Sequence, residues 1–386
     1  MTQIDEAVAR LSPSEFDAFI DLINDAFGFS PADGFTHFLA GRYKPTPELA
    51  GCNCFIRRDG QMVAGAGVFP ITWRVGGREL AMAGVGGVAV DPRFRRQGLM
   101  RRVMDHVRRH IGEAGYPLSW LGGQRQRYLY WGWERAGWHW TAHVQPANVR
   151  HDPPAGYDAI ELVPIGDDAS LLDAAYELHG RQPVHAVRPR ELMGDFLRHW
   201  RTEAYAACDG QRRVRGYLSM SAQQRHVVEL VVADAGDAGR IVARAVMEHG
   251  PLTVMLPAGV EPALLHNLSQ VAETMRLGDA GNWQIFDWPA VLEAVMHAAH
   301  AARPLVSGEV VVEIEGAGAL RLAVTGDGPV CEATRARPAL SVDVATATRM
   351  LFGPLRPSDV VSLPGEAAVL EAWCPLPLSL PRLDHV

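Results

Sequence analysis

The sequence predicts an α/β (α+β) protein of three domains whose sheets are mixed and mostly antiparallel. A length of 386 residues exceeds what one hydrophobic core usually organises. Segments with strand-like and with helical hydrophobic periodicity alternate along the chain. The order strand, aspartate, glycine-containing turn, helix occurs twice, because Asp91 precedes Val103 by the same interval at which Asp234 precedes Val246. This recurrence suggests an internal duplication.

Composition limits the classes of function. The chain is 48% hydrophobic and 21% charged, as ordinary soluble globular proteins are. Its formal net charge of -7 argues against a general nucleic-acid binder. The 5 cysteines are scattered, fit neither a disulfide framework nor a zinc knuckle, and favour a reducing cytoplasm. We expect neither export nor membrane insertion, because the sequence shows no signal-like apolar core and no long apolar run.

The first domain, residues 1–150, is expected to begin with an amphipathic helix from Ser14 to Phe27 and to continue as an antiparallel meander. The strand-like runs NCFIRR and QMVAGAGVF flank the turn pair Asp59-Gly60, and ITWRVGGRELAM turns at Gly76-Gly77. The run GVGGVAV is expected to be a central strand. A helix then follows, with an apolar stripe formed by Leu99, Val103, Val107 and Ile111.

Residues 151–288 are predicted to form a second α/β domain, because the segment from Pro146 to Asp158 is proline-rich, polar and aperiodic. The second copy of the duplicated order lies in VVELVVADAGDAGRIVARAVMEHG, although a chance likeness between two amphipathic helices explains it equally well. This copy lacks the proline and all but one of the arginines, so we expect no cofactor site there. Residues 289–386 are predicted to form an α+β domain that ends in a proline-rich arm, WCPLPLSLPRLDHV.

The segment DPRFRRQGLMRRVM, from Asp91 to Met104, has the features of an anion-binding loop. A strand, a turn forced by Pro92 and a helix opened by Gly98 leave backbone N–H groups that point outwards. Such groups bind phosphates together with the helix dipole. Arg95 and Arg96 add positive charge and bidentate donors beside them.

Other interpretations account for less of this segment. A P-loop requires Gly-Lys-Ser/Thr, which is absent, and a dinucleotide fingerprint would need the glycines of GVGGVA to lie between strand and helix. His106 and His110 lie one helical turn apart but lack nearby carboxylate or cysteine ligands, so we expect no metal site. A solvated helix face explains the four remaining arginines of the helix, Arg101, Arg102, Arg108 and Arg109.

The run VAVDPRFRRQGLMRRVM resembles the acetyl-CoA loop of the GCN5-related N-acetyltransferases (GNAT). Met100 stands where most members have Gly or Ala. The enhanced intracellular survival (Eis) branch of the superfamily tolerates a larger residue there, and it combines two acetyltransferase-like domains with a sterol-carrier-like third domain. The resemblance therefore extends to all three predicted domains. It implies acetyl-CoA as cofactor, with binding positions at Val88, Val90, Arg95, Arg96, Gly98, Leu99 and Met100.

The resemblance also implies catalytic residues. The segment RYLYWGWERAG is similar to the Tyr-x-x-Phe-Gly-Tyr segment of the Eis-like branch, which puts Tyr128 at the general-acid position; Tyr130 is the substitute if the alignment shifts. Packing among neighbouring tryptophans is the other interpretation of Tyr128. In that branch the terminal carboxylate of the chain is the general base, which here belongs to Val386 in place of the usual Phe. The N–H of Val88 would polarise the thioester carbonyl.

These observations predict an acetyl-CoA-dependent N-acetyltransferase that acts on a small-molecule amine. The resemblance implies an aminoglycoside or polyamine-like acceptor and a hexamer. A protein-lysine N-acetyltransferase and a non-catalytic acyl-CoA- or lipid-binding protein are the alternatives. Phe27, Phe29 and Phe35 could line an amine pocket together with Asp33, or Asp33 could cap a loop.

Overall fold

The computed structural model describes residues 7–30, 33–221, 223 and 225–386. The strands of the first segment are β1 Val8–Arg10, β2 Asn53–Arg58, β3 Gln61–Val75, β4 Arg78–Val90, β5 Leu118–Leu121, β6 Glu134–Arg135 and β7 Trp138–Val144. Its helices are α1 Phe16–Phe27, α2 Phe35–Phe38, α3 Pro47–Ala50, α4 Leu99–Glu113, α5 Arg125–Tyr128 and α6 Pro146–His151.

The remaining chain continues the alternation of strands and helices. Its strands are β8 Glu161–Pro164, β9 His185–Ala186, β10 Glu203–Cys208, β11 Val214–Ser221, β12 His226–Val232, β13 Leu252–Pro257, β14 Thr274–Asp279, β15 Asn282–Ile285, β16 Gly308–Ile314, β17 Gly318–Thr325, β18 Gly328–Ala333 and β19 Leu340–Val342. Its helices are α7 Ala169–Gly180, α8 Met193–Leu197, α9 Asp237–His249, α10 Pro262–Ser269, α11 Trp288–Ala302, α12 Val344–Phe352, α13 Pro357–Val360 and α14 Leu370–Trp373.

These strands form three mixed, mostly antiparallel sheets, which confirms the predicted fold class. The first sheet has the order β1-β2-β3-β4-β5-β15-β6, with β9 beside β3. The second has the order β14-β7-β13-β12-β11-β10-β8, and the third has the order β18-β17-β16-β19. The parallel pairs are β4–β5, β12–β13 and β16–β19.

The predicted meander is present, with its strand runs merged into two long strands, β3 and β4. Both predicted turns occur, and Asp59 and Gly60 have the positive φ angles of 48° and 78° that such a turn requires. Pro70 lies inside β3 between the part that pairs with β2 and the part that pairs with β9. The edge of β3 is open there, so the missing N–H of proline is tolerated.

Two helices cover the first sheet from different sides. The apolar stripe of α4 packs in one cluster with Val63 and Val85, while Phe19 and Ile23 of α1 pack in another cluster with Met62. Met62 and Val63 are neighbours in β3, and successive side chains of a strand point to opposite faces. The sheet is therefore buried on both faces between α1 and α4.

The first two sheets exchange a strand. β7 follows β6 in the sequence but pairs with β13 and β14 of the second sheet. Reciprocally, β15 follows β14 but pairs with β5 and β6 of the first sheet. The units β4-α4-β5 and β12-α9-β13 share one strand-helix-strand order, as an internal duplication predicts. Hydrogen-bonded strands thus cross the proposed boundary near residue 150 in both directions, and the division into three domains stays a prediction.

The segment proposed as a linker is partly helical, and the C-terminal third packs onto the first sheet. Residues 146–151 form α6, which buries Val149. The predicted strands and helices of the last segment are present as β16, β17, α11 and α12. One core joins Trp73 of β3, Val295 of α11 and Leu378 of the C-terminal arm. Within the described ranges, no helix combines the length and the apolar character needed to cross a bilayer.

The exchanged strand β15 should contribute strongly to stability. Trp283 is fully buried, and its ring lies 6.3 Å from that of Trp73. We expect Trp283→Ala to lower the free energy of unfolding by about 3–5 kcal/mol, because a large buried side chain is removed. Urea denaturation measures the change. The exposed Tyr130→Ala variant is the control and should stay within about 0.5 kcal/mol; similar values for both variants would contradict a core built around β15.

Candidate active site

A cavity of about 670 Å³ lies between the first sheet, the second sheet and the C-terminal arm. The three residues predicted to be catalytic, Val88, Tyr128 and Val386, all line it. They belong to the end of β4, to α5 and to the last position of the chain. The fold therefore brings together residues that are far apart in the sequence, while their catalytic roles stay predictions.

The strands β4 and β5 separate beside the cavity. Their parallel register ends at Val85 and Leu121, whereas β4 continues to Val90. A register shift against β3 accompanies this separation, and Gly87 has a φ angle of 57°. The backbone beyond Val85 is therefore free of a β5 partner on that side, which leaves N–H groups near Val88 and Val90 for a ligand.

The arginine loop leads from β4 into α4 with its phosphate-binding candidates facing solvent. Arg95, Arg96 and Gly98 are exposed. Gly98 has a φ angle of 77°, and a Cβ there would meet no heavy atom within 4 Å. The loop is held by Asp91, which pairs with Arg93 at 2.7 Å and accepts its backbone N–H at 2.9 Å. These contacts leave the exposed positions open to an anion.

The last two predicted cofactor positions lie in the first turn of α4. Leu99 is buried in the core beneath the helix, and Met100 is half-buried against the same cluster. Because these side chains pack inside the protein, only their backbone N–H groups face the direction of an anion at the helix start.

Of the two candidate tyrosines, Tyr128 lines the cavity. Its side chain is only 7% exposed, and burial raises its pKa. Tyr130 is 68% exposed, and its hydroxyl accepts a hydrogen bond from Arg101 at 3.0 Å. The phenol of Tyr128 therefore stays protonated at neutral pH at the cavity wall.

The chain terminus lies against the glycines of β4. A Cβ on Gly86 would lie 2.5 Å from the terminal carbonyl carbon of Val386, and one on Gly84 would lie 3.0 Å from its side chain. Any larger residue at Gly86 would displace the terminus. The run GVGGVAV thus carries a site signal that its strand pattern alone does not reveal.

A buried ion-pair network anchors the C-terminal arm. Arg188 donates to both oxygens of Asp384 at 2.8 Å and to both oxygens of Glu229 at 2.6 and 3.0 Å. The hydroxyl of Tyr217 donates to Glu229 at 3.0 Å. All four side chains are buried. Sequence reasoning did not identify these residues, because no motif connects positions so far apart.

The side chains of His199 and Trp200 hold the backbone of the C-terminal arm by hydrogen bonds. The imidazole Nδ1 of His199 donates to the carbonyl of Leu383 at 2.7 Å, since its Nε2 accepts the N–H of Gly41 at 2.9 Å. The indole of Trp200 donates to the carbonyl of Arg382 at 2.8 Å. The proline-rich arm is therefore an ordered part of the cavity wall.

The unit β12-α9-β13 has a buried carboxylate at the start of its helix, whereas β4-α4-β5 has an exposed loop there. Asp237, at the start of α9, is buried and pairs with Arg215 at 2.8 Å and with Arg240. A phosphate at this helix start would meet that carboxylate. This arrangement supports the expectation that the second copy lacks a cofactor site, which stays a prediction.

Of the residues predicted to line an amine pocket, the three phenylalanines lie at the cavity and Asp33 does not. Phe27, Phe29 and Phe35 line the cavity. Asp33 is not among its lining residues and instead pairs with Arg201 at 3.2 Å. In the described part of the chain, no group of three or more potential metal ligands occurs.

Comparison with known proteins assigns the first third of the chain. Residues 7–140 match the family model described as the acetyltransferase (GNAT) domain. The N-acetyltransferase Eis of Mycobacterium tuberculosis is 31% identical over 141 residues, which make up 34% of this chain and 34% of that protein. The chain thus matches about a third of the length of this curated relative. The family match identifies an acetyltransferase (GNAT) domain in this part of the chain.

Solved structures match nearly the whole chain. A GCN5-related N-acetyltransferase from Kribbella flavida superposes with a TM-score of 0.65 at 20% identity and covers 99% of both chains. Eis1 from Mycobacterium abscessus superposes with a TM-score of 0.66 at 18% identity, over 98% of this chain and 100% of that one. At these identities the likeness establishes the fold alone.

Two histidines at the C-terminal arm, His199 beside it and His385 within it, predict a loss of stability in acid. Burial lowers the pKa of His199 and of His385 to about 3. The unfolded chain takes up these protons near pH 6.5 and the folded protein only near pH 3, so stability falls as the pH drops through this window. For the fully buried His199 the slope is about 1.4 kcal/mol per pH unit.

Urea denaturation at several pH values between 4 and 7 tests this expectation. His199→Gln should lower the slope of unfolding free energy against pH by about 1.4 kcal/mol per pH unit, because one proton fewer is taken up on unfolding. The exposed His151→Gln should keep the wild-type slope. Equal slopes in the two variants would contradict it.

Proposed function

We propose that this chain, whose residues 7–140 match the GNAT acetyltransferase domain, is an acetyl-CoA-dependent N-acetyltransferase that acts on a small-molecule amine. The observation that carries the proposal is the convergence of Val88, Tyr128 and the terminal Val386 on one cavity. These three groups supply the hydrogen-bond donor, the acid and the base that acetyl transfer to an amine requires.

Acetyl-CoA, when bound, supplies the acetyl thioester. Arg95 and Arg96 would bind its pyrophosphate through charge-assisted hydrogen bonds, together with the N–H groups at the start of α4. Gly98 allows the backbone to approach the phosphates closely because it has no side chain. At the end of β4, where β5 no longer pairs with it, the N–H groups of Val88 and Val90 would donate hydrogen bonds to the remainder of acetyl-CoA.

The side chains and termini then move the protons. The N–H of Val88 donates a hydrogen bond to the oxygen on which negative charge develops. Val386 accepts the proton of the attacking amine on its carboxylate, directly or through water. Tyr128 donates its proton to the departing sulfur, and its raised pKa keeps that proton available at neutral pH. After each turnover the Val386 carboxylate is protonated and Tyr128 is deprotonated. Proton exchange with solvent restores both groups.

The wider assignment rests on likeness to Eis. We include in the proposal an Eis-like branch, a sterol-carrier-like third domain at residues 289–386, a homo-oligomer of six chains and a cytoplasmic location, with neither nucleic acid nor membrane as partner. A cavity bounded by two sheets and the arm favours a small acceptor over the lysine of a folded protein.

The arginine loop is tested by acetyl-CoA binding. We expect the double variant Arg95→Ala/Arg96→Ala to weaken binding by about 1.5–3 kcal/mol for each charge-assisted hydrogen bond lost. Calorimetric titration measures this. The exposed helix-face variant Arg108→Ala/Arg109→Ala carries the same charge change and should bind as the wild type does. Equal affinities in the two double variants would remove the loop from the proposal.

The acid role is tested at Tyr128. We expect Tyr128→Phe to lower turnover by about 10²–10⁴-fold, the usual contribution of a general acid, while acetyl-CoA binding stays intact. Release of free thiol from acetyl-CoA in the presence of amine measures turnover. Tyr130→Phe is the matched control and should retain wild-type turnover. Full activity of Tyr128→Phe would take this residue out of the mechanism.

The base role is tested without changing any ionisable group. Gly86→Ala places a methyl group against the Val386 carboxylate, and we expect turnover to fall by about 10²-fold, as misplaced catalytic groups commonly cause. Gly112→Ala is the matched control, because a Cβ there meets no heavy atom within 4 Å. Thiol release at saturating acetyl-CoA measures both. A Gly86→Ala enzyme of normal turnover would argue against the terminal carboxylate.

A further inference from the structure

A continuous wall of aromatic rings lines the cavity from its mouth to the chain terminus. Each ring contacts the next one in space. The distances between ring centroids are Phe27–Phe35 5.0 Å, Phe35–Phe29 5.6 Å, Phe29–Phe38 5.4 Å, Phe38–Trp200 4.6 Å, Trp200–His385 6.3 Å and His385–Trp120 4.1 Å. Every one of these residues lines the cavity. Phe27 is 50% exposed, so the wall begins at solvent. At its other end lie Trp120 and His385, and His385 directly precedes Val386 in the chain.

The charges of the lining do not suit a polycation. Among the described residues that line the cavity, Asp279 is the acidic side chain, and it pairs with Arg135 at 2.9 Å. Arg127 and Arg382 line the cavity as well. The terminal carboxylate of Val386 is thus the negative group left for an acceptor, and repulsion from the arginines opposes further ammonium groups.

Arginines also occupy ring faces on which an ammonium group could otherwise lie. The guanidinium carbon of Arg382 lies 3.9 Å from the centroid of the Trp200 ring. That of Arg201 lies 5.7 Å from the Phe38 ring. Cation–π recognition of a second or third amine would have to displace these groups.

We propose that the acceptor is a monoamine carried on an aromatic group, and that the ring wall binds this group while the single amine reaches the Val386 carboxylate. The inference rests on the proposed function and names its substrate class. It replaces the aminoglycoside or polyamine-like acceptor that the sequence resemblance implied. Aromatic pairs in offset or edge-to-face contact supply the binding, and one carboxylate suffices for one amine.

The reaction balances with groups already present. The amine nitrogen forms a bond to the acetyl carbon as the carbon–sulfur bond breaks. One proton passes from the nitrogen to the carboxylate of Val386, and one passes from Tyr128 to the sulfur. The products are the N-acetylated form of the ring-bearing amine and a free thiol.

The test compares three probe amines with wild-type enzyme at saturating acetyl-CoA. 2-Phenylethylamine carries a ring and one amine, butylamine carries one amine without a ring, and spermine is a polycation. We expect kcat/KM for 2-phenylethylamine to exceed that of the other two at least about ten-fold, the ratio that 1.4 kcal/mol of ring contact produces. Spermine as the best substrate, or equal values for the ring-bearing and ringless monoamines, would overturn the inference and leave the proposed function intact.

Variants of the wall make the test specific. Phe38→Leu should lower kcat/KM for 2-phenylethylamine about five-fold or more, because the ring of this amine loses an aromatic contact. The kcat/KM for butylamine, which has no ring, should change little. Tyr130→Leu, outside the cavity, should change neither. An equal loss for both monoamines in Phe38→Leu would mean that Phe38 acts on the fold alone, and would count against the wall.

Calorimetric binding of the same amines to the enzyme saturated with coenzyme A separates the two proposals. Ring-dependent binding without any acetylation would uphold the aromatic site and overturn the proposed transferase. Binding and acetylation of spermine would uphold the proposed transferase and overturn the aromatic site.

Discussion

The buried guanidinium of Arg188 is the interaction on which the candidate site depends. It joins Asp384, two residues before the chain terminus, to Glu229 in β12. Burial favours the neutral form of Asp384, but the charge and hydrogen bonds of Arg188 outweigh this effect and lower the pKa of that carboxyl. Removing one partner from such a buried pair costs about 3–5 kcal/mol, because an uncompensated charge is left behind. Fixing Asp384 also fixes Val386 against Gly86.

The exchange of β7 and β15 has the same consequence at the level of the sheets. Each of the first two sheets is completed by a strand from the other half of the chain. The cavity lies where these sheets and the arm meet, so its wall contains residues of all three segments. The candidate active site is therefore a property of the whole chain, although the family match covers residues 7–140 alone.

The two strand-helix-strand units, β4-α4-β5 and β12-α9-β13, differ at the start of their helices. At the start of α4 the backbone is open and flanked by the exposed Arg95 and Arg96. At the start of α9 the carboxylate of Asp237 is buried and pairs with Arg215. The start of the helix is thus flanked by exposed arginines in one unit and by a buried carboxylate in the other.

Local pattern in the sequence was sufficient for the helices α1, α4 and α9, for the turns at Gly60 and Gly77 and for the arginine loop. Periodicity and turn chemistry act within a few residues, and the sequence displays both directly. The resemblance added Tyr128 and the terminus as candidates. Only the tertiary structure decided that Tyr128 and not Tyr130 lines the cavity, that β7 and β15 change sheets, and that Arg188 bridges Glu229 to Asp384. Such pairings join residues far apart in the chain, and their energy comes from burial and charge that exist only after folding.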